Sequence, residues 1–223
     1  MKFHLIIPSA GSGTRFNSKI PKQFVKINGK EILLHTIEKF SCIENIFSIT
    51  LSVNKDSMSK VNRILMKSDT AIPIYVIEGG NTRQKSVKNA FDSIEFEKGD
   101  YVIIHDAARP FISVTKIREL MEDAKKYGSA LPCLKINDTI KSVIKGYVKE
   151  TVSRDNLYTA QTPQIFRCDI LKKSYEKISN QKINFTDESA IVENAGFKVH
   201  VSKGEDSNIK ITNQKDIKYF KFI

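Results

Sequence analysis

Tryptophan is absent from the 223 residues, and only three cysteines occur, Cys42, Cys133 and Cys168, odd in number and far apart. That spacing indicates neither a disulfide framework nor a zinc site, which need closely patterned thiols, so the three read as reduced core or half-buried groups. No apolar run approaches the roughly 18 residues that span a bilayer, and the apolar start is too short for a secretory signal. The expectation is a cytoplasmic protein with no membrane partner. Arginine is also scarce, at positions 15, 63, 83, 109, 118, 154 and 167 only, so lysine carries most of the formal net charge of +11. The lysines are scattered with glutamates along helical stretches, the pattern of a solvated face. A non-catalytic basic RNA-binding module would need a concentrated basic face with aromatics for stacking; with no recognisable RNA-binding signature either, it is the distant alternative. Part of the charge can serve an anionic substrate.

What is present is a soluble globular composition, 40% hydrophobic and 27% charged, in a chain long enough for one well-buried domain or a domain with an appendage. The organising stretch is Phe3 to Arg15, FHLIIPSAGSGTR. Phe3, Leu5, Ile6 and Ile7 suit a strand covered on both faces, and Pro8 ends it because proline donates no ladder hydrogen bond. Gly11 and Gly13 let the following loop turn its N–H groups toward one point, a ready site for phosphate with the Arg15 cation at its edge. The alternative is an ordinary strand-to-helix turn. A Walker loop is excluded because Gly13 is followed by Thr14-Arg15 rather than Lys-Ser/Thr. A dinucleotide fingerprint is excluded because Phe16 stands where a small residue is needed, and Glu31, at the distance of the ribose-binding acid, lies in an apparent helix.

Further along, strand-like runs at Ile46 to Val53, Ile74 to Ile77, Tyr101 to Ile104 and Ser129 to Leu134 alternate with helical patterns, one of them opened by Thr82 as an N-cap. The fold class is therefore α/β, a Rossmann-like three-layer sandwich on a mostly parallel sheet, with ligands outside the carboxyl ends of the strands. From 135 to 158 the pattern changes to short alternating pieces around a Lys145-Gly146 turn, which reads as a β-hairpin arm projecting from a single domain over 1–223. A lone hairpin is marginal in water, so a second copy of the chain is expected to cover it. The last third returns to mixed α/β, with a strand at Phe197 to Val201 and a terminal helix.

Five segments stand out in order: PSAGSGTR, PKQ, GGNTRQKSV, HDAARP and DSNIKIT, with RDNLYTAQTPQ and FTDE between the last two. As a set, from Pro8 to Thr212, they resemble the 2-C-methyl-D-erythritol 4-phosphate cytidylyltransferases of the non-mevalonate isoprenoid pathway, which couple CTP to that acceptor. The residues fit the chemistry independently. In nucleotidyl transfer the attacking phosphate is already an anion, so no Ser–His–Asp or Cys–His relay is required and none is visible; two polyanions must be held in line while charge is neutralised.

The resemblance implies that Arg15 and Lys22 stabilise the transition state. Gly80 and Ser86, with backbone near Pro8, Ala10, Gly11 and Gly13, would hold the nucleotide, although helix capping by Thr82 explains the same segment. Asp106, beside Ala107, is either half of a structural ion pair with Arg109 or a contact to the ribose and a magnesium-bound triphosphate. Magnesium keeps waters and phosphate oxygens as ligands and needs few protein carboxylates, so the metal ligands stay open apart from Asp106. Arg154 and Lys210 match the family residues that orient the acceptor phosphate, with Arg154 at the base of the arm and so able to reach a neighbouring subunit. Thr162 and Thr186 match positions near the sugar hydroxyls, with caps and turns as the other reading. Ser9 stands where the family commonly has alanine, and Asn81 where it often has an acid. A ribitol-phosphate or other alditol-phosphate cytidylyltransferase is the alternative of the same class; it usually carries valine at the position of Ala108.

Overall fold

The first strand, β1 (Phe3–Pro8), is buried along almost its whole length, as a strand with apolar residues on both faces must be. The structure is a computed structural model that describes residues 1–11, 16, 20–179 and 183–222. Two short strands, β2 (Lys26–Ile27) and β3 (Lys30–Glu31), lead into α1 (Ile32–Ser41). Glu31 ends β3 and precedes α1 rather than lying within a helix. There follow β4 (Ile46–Val53), α2 (Met58–Leu65), β5 (Ile74–Glu78), α3 (Arg83–Asp92), β6 (Tyr101–Ile104) and α4 (Val114–Tyr127). The Ser113 side chain accepts the Lys116 N–H at the start of α4, and Gly128 at φ 82° ends it, a polar cap and a left-handed stop.

Next come β7 (Ser129–Lys135), the hairpin β8 (Ile140–Ile144) and β9 (Tyr147–Val152), then β10 (Tyr158–Ala160), β11 (Gln164–Arg167), α5 (Cys168–Ile178), α6 (Glu188–Asn194) and β12 (Val201–Lys203). The chain closes with a 3₁₀ segment over Gln214–Phe222. The main sheet runs β10-β7-β11-β6-β1-β4-β5, with β12 beside β7. Strands β6, β1, β4 and β5 are mutually parallel, whereas β11 runs antiparallel between β6 and β7. The expected strand at Phe197 to Val201 is displaced to β12, because Phe197 N–H still closes the end of α6 on Val192 and pairing with β7 begins only at His200.

Alternation along β1 divides the core. Phe3, Leu5 and Ile7 pack with Leu33, Ile37 and Phe40 of α1 and Ile117 and Leu120 of α4. Ile6 faces the other way, with Val87 and Phe91 of α3, Leu171 of α5 and Ile191 of α6. Helices thus cover both faces, and truncating a side chain as enclosed as Leu5, 0% exposed, costs about 2–5 kcal/mol. Cys133 and Cys168 are buried within this body and Cys42 is exposed. The hairpin β8–β9 forms its own two-stranded sheet. Its turn places Lys145 and Gly146 at φ 50° and 85°, and every residue of β9 is exposed.

Candidate active site

Parallel strands bring the loops that follow them to one edge. At that edge Ser9 N–H bonds the Ser52 carbonyl at 2.8 Å, Gly79 N–H bonds Val53 at 2.8 Å, and His105 N–H bonds Ile6 at 2.9 Å. A cleft of about 500 Å³ opens there, lined by Pro8, Ala10, Gly11, Lys22, Gly80, Arg83, Ser86, Asp106, Ala107 and Lys210 among others. The loops singled out from the sequence therefore meet. Gly13 and Arg15 lie outside the described residues.

The wall of the cleft under Ala10 is built around glycine. A Cβ on Gly79 would stand 2.7 Å from the Ala10 Cβ and 2.9 Å from the Ser86 Oγ, so only glycine permits the approach. Ser86, on the buried face of α3, accepts the Gly80 N–H at 3.0 Å, and its hydroxyl lies 2.8 Å from the Thr82 carbonyl. Thr82 in turn accepts the Lys85 N–H at 3.0 Å, so capping and loop shaping coexist in one segment. Across the cleft, Gln23 donates from Nε2 to the Ser9 carbonyl at 2.6 Å and ties the Pro-Lys-Gln segment to the glycine loop. Its neighbour Lys22 donates from Nζ to the Ile211 carbonyl at 2.9 Å.

Asp106 collects the positive charge. Its Oδ2 lies 2.6 Å from Lys210 Nζ and 3.9 Å from Arg109 Nε, and its Oδ1 lies 3.1 Å from Arg83 Nε. Burial alone would raise the pKa of this carboxyl; the Arg83 guanidinium and the Lys210 ammonium outweigh it and hold the group ionised, well below the ordinary range. Arg83 also donates from Nη1 to Glu188 Oε2 at 2.8 Å. Glu188 is fully enclosed, and burial pushes its pKa up against the pull of Arg83.

Behind Asp106 lies a second network. His105 Nε2 is 2.9 Å from the Arg109 carbonyl, which can only accept, so the proton sits on Nε2 and Nδ1 accepts from the Thr162 hydroxyl at 3.2 Å. Thr162 Oγ1 accepts the Asp106 N–H at 3.0 Å, and Asn208 donates to the Thr162 carbonyl at 2.8 Å. Burial drives the His105 pKa down to about 4, which makes it a neutral strut. Thr162 is a strut as well, and Arg109, mostly enclosed, donates from Nη1 to the Asn208 carbonyl at 2.7 Å.

Two expected residues stand elsewhere. Arg154 is exposed at the base of the arm, where its Nη1 donates to the Asn137 carbonyl. Thr186 is exposed beside α6, and the cap is Asp187, whose side chain accepts the Ala190 N–H. Sequence reasoning missed Arg83, Glu188, Gln23 and Asn208 as site residues, though each lies inside a quoted motif. Only the spatial pairings, 105 residues apart for Arg83 and Glu188, reveal them. The cleft is a poor protein cage for magnesium: three cations surround Asp106, and no group of three or more His, Cys, Asp or Glu side chains suited to a metal occurs among the described residues. Its lining carries Lys22, Arg83 and Lys210 against one carboxylate, Asp106, a balance that suits anions.

Comparison with known proteins agrees with this chemistry. The family model described as IspD, 2-C-methyl-D-erythritol 4-phosphate cytidylyltransferase, matches residues 3–223. The 2-C-methyl-D-erythritol 4-phosphate cytidylyltransferase of Thermosipho africanus is 41% identical over 216 residues, covering 95% of this chain and 93% of that protein. A bifunctional enzyme IspD/IspF of Wolbachia pipientis is 36% identical across 100% of this chain and 55% of its own length. The crystal structure of the Francisella tularensis cytidylyltransferase superposes with a TM-score of 0.84 at 34% identity, covering 100% of this chain and 99% of that one. The chain, with its glycine-lined cleft and its cations gathered on Asp106, belongs to the 2-C-methyl-D-erythritol 4-phosphate cytidylyltransferase family.

Proposed function

We propose that this protein transfers CMP from CTP to 2-C-methyl-D-erythritol 4-phosphate, giving 4-diphosphocytidyl-2-C-methyl-D-erythritol and pyrophosphate. A phosphate oxygen of the acceptor forms a bond to the α-phosphorus of CTP. The bond from that phosphorus to the bridging oxygen breaks, and its electron pair leaves with pyrophosphate. The residues bind, orient and neutralise; none becomes covalently attached. The observation that carries the reading is that Lys22 and Lys210 meet at one segment: Lys22 Nζ bonds the carbonyl of Ile211, the residue next to Lys210. A cation assigned to the nucleotide and one assigned to the acceptor therefore stand on the same support, which suits in-line displacement.

In this reading Arg15 and Lys22 stabilise charge growing on the α-phosphate. Ser86 and the backbone of Gly80, Ala10 and Gly11 receive the base, and Pro8, Gly13 and Ala107 border the nucleotide. Asp106, Arg109 and Lys210 form the acceptor side, with Thr162 bracing Asp106 from behind, while Arg154 and Thr186, outside the cleft of their own chain, would join an acceptor site only across a subunit contact. A magnesium ion would be held chiefly by the triphosphate itself, with Asp106 the one carboxylate of the cleft able to contact it, and would supply neutralisation of part of the phosphate charge. The exposed apolar residues Val143, Ile144, Tyr147 and Val148 of the hairpin favour a homodimer in which the arm reaches the partner and carries Arg154 toward the second site. No helix among the described residues is long and apolar enough to cross a membrane, and the location we infer is the cytoplasm. Pyrophosphate release from CTP and magnesium, measured in parallel with 2-C-methyl-D-erythritol 4-phosphate and with ribitol 5-phosphate, tests the assignment. Faster turnover of ribitol 5-phosphate overturns it.

A further inference from the structure

Arg83 touches two carboxylates from different parts of the chain. Its Nε is 3.1 Å from Asp106 Oδ1 at the end of β6, and its Nη1 is 2.8 Å from Glu188 Oε2 at the start of α6. Glu188 is 0% exposed and its Oε1 has no hydrogen-bond partner among the described residues. An enclosed carboxylate satisfied on one side only is costly to keep, which calls for a reason beyond packing. The two oxygens of Asp106 are divided: Oδ1 faces Arg83, and Oδ2 faces Lys210 at 2.6 Å. Free of Arg83, the carboxylate could turn both oxygens toward Lys210 and Arg109, the cations that an acceptor phosphate must recruit.

We propose that Arg83 and Glu188 are positioning residues for the acceptor side: Glu188 anchors the guanidinium, and the guanidinium holds one oxygen of Asp106 so that Lys210 can be released to an incoming phosphate. The inference rests on the acceptor-side reading of Lys210 given above. Its signature is selective. Loss of Arg83 tightens the hold of Asp106 on Lys210 and raises the KM for the acceptor, while the KM for CTP stays nearly unchanged. A purely structural pair would instead lower stability and affect both substrates alike.

The experiment is a double-mutant cycle in the full-length enzyme with both KM values measured for each variant. Arg83→Met is expected to raise the acceptor KM about tenfold or more, with less than about a threefold change for CTP. Glu188→Gln is expected to shift it in the same direction by a smaller factor. In an Asp106→Asn background the effect of Arg83→Met on the acceptor KM should largely vanish, because the amide exerts no ionic hold on Lys210. Should Arg83→Met fail to fold, Arg83→Lys, which keeps the charge but cannot bridge two carboxylates, takes its place with the same expectation. Additive effects in the cycle, or equal shifts in both KM values, overturn the inference. A wild-type enzyme inactive on 2-C-methyl-D-erythritol 4-phosphate would instead defeat the functional reading on which it stands.

Discussion

Lys22 Nζ reaches across 189 residues of sequence to the carbonyl of Ile211, 2.9 Å away, and so joins the Pro-Lys-Gln segment to the strap that carries Lys210. The lysine is half-buried at the cleft. A charge-assisted hydrogen bond from a part-exposed ammonium contributes about 1.5 kcal/mol to stability, whereas a preorganised cation at a transition state is worth about 3–4 kcal/mol. Lys22→Ala is therefore expected to fold with a near-normal melting temperature and to lose turnover by a factor of about a hundred or more. Turnover within a few-fold of wild type removes Lys22 from the mechanism.

Gly79 lies directly against Ala10, which lines the cleft on the side proposed for the nucleotide. A methyl group on Gly79 meets the Ala10 Cβ at 2.7 Å and the Ser86 Oγ at 2.9 Å, contacts that force the loop away from β1. Gly79→Ala is expected to raise the KM for CTP by about tenfold while leaving the acceptor KM within a few-fold. Isothermal titration with CTP alone checks this, and unchanged CTP affinity would show that the close approach has no part in nucleotide binding.

The parallel half of the fold was legible because each strand is a local signal. Phe3–Pro8, Ile46–Val53 and Tyr101–Ile104 are short apolar runs bounded by turns, and the Thr82 cap marks the start of α3. The other half depends on distant pairing. Gln164–Arg167 is only four residues long, and nothing within it specifies insertion between β6 and β7. The segment carrying Asn208 to Thr212 forms no strand and is held by side chains and isolated main-chain bonds: Asn208 on Thr162, Ile211 N–H on the Ala108 carbonyl, and Lys210 on Asp106. At the site, motif positions found the cleft. Which cation faces which carboxylate could not be read, because Arg83 has neutral or like-charged neighbours in sequence and finds its acids only through the fold.

His105 gives a pH signature. Its imidazole is enclosed and neutral, with a pKa pushed down to about 4 by burial, against about 6.5 in the unfolded chain. Between these values the unfolded state binds more protons than the folded one, so stability rises with pH across the window and falls as pH drops from about 6.5 toward 4. The difference is on the order of 3 kcal/mol. His105→Gln is expected to be less stable at pH 7 yet to show a shallower loss of stability on acidification. Denaturant melts of both proteins at pH 7 and 4.5 provide the comparison; parallel slopes would mean that His105 does not titrate as its burial requires.

The exposed apolar residues at the tip of the hairpin and the position of Arg154 predict an obligate partnership. Sedimentation should find a dimer, and charged substitutions at Tyr147 and Val148, 81% and 61% exposed, should give a monomer. If Arg154 serves the partner's site, inactive Arg154→Ala and Lys22→Ala enzymes mixed and allowed to exchange subunits should recover about a quarter of wild-type activity, since each mixed dimer regains one intact site. No recovery after demonstrated exchange places Arg154 in its own subunit's site, and near-normal activity of Arg154→Ala alone places it outside the reaction.

The central claim is that the cleft clamps two phosphate anions and contributes no covalent group. The most direct test is the stereochemical course at phosphorus, followed with CTP made chiral by sulfur at the α-position and 2-C-methyl-D-erythritol 4-phosphate as acceptor. A single in-line displacement predicts inversion of configuration in the product. Retention would reveal two successive displacements through an enzyme-bound nucleotide, and would contradict the account.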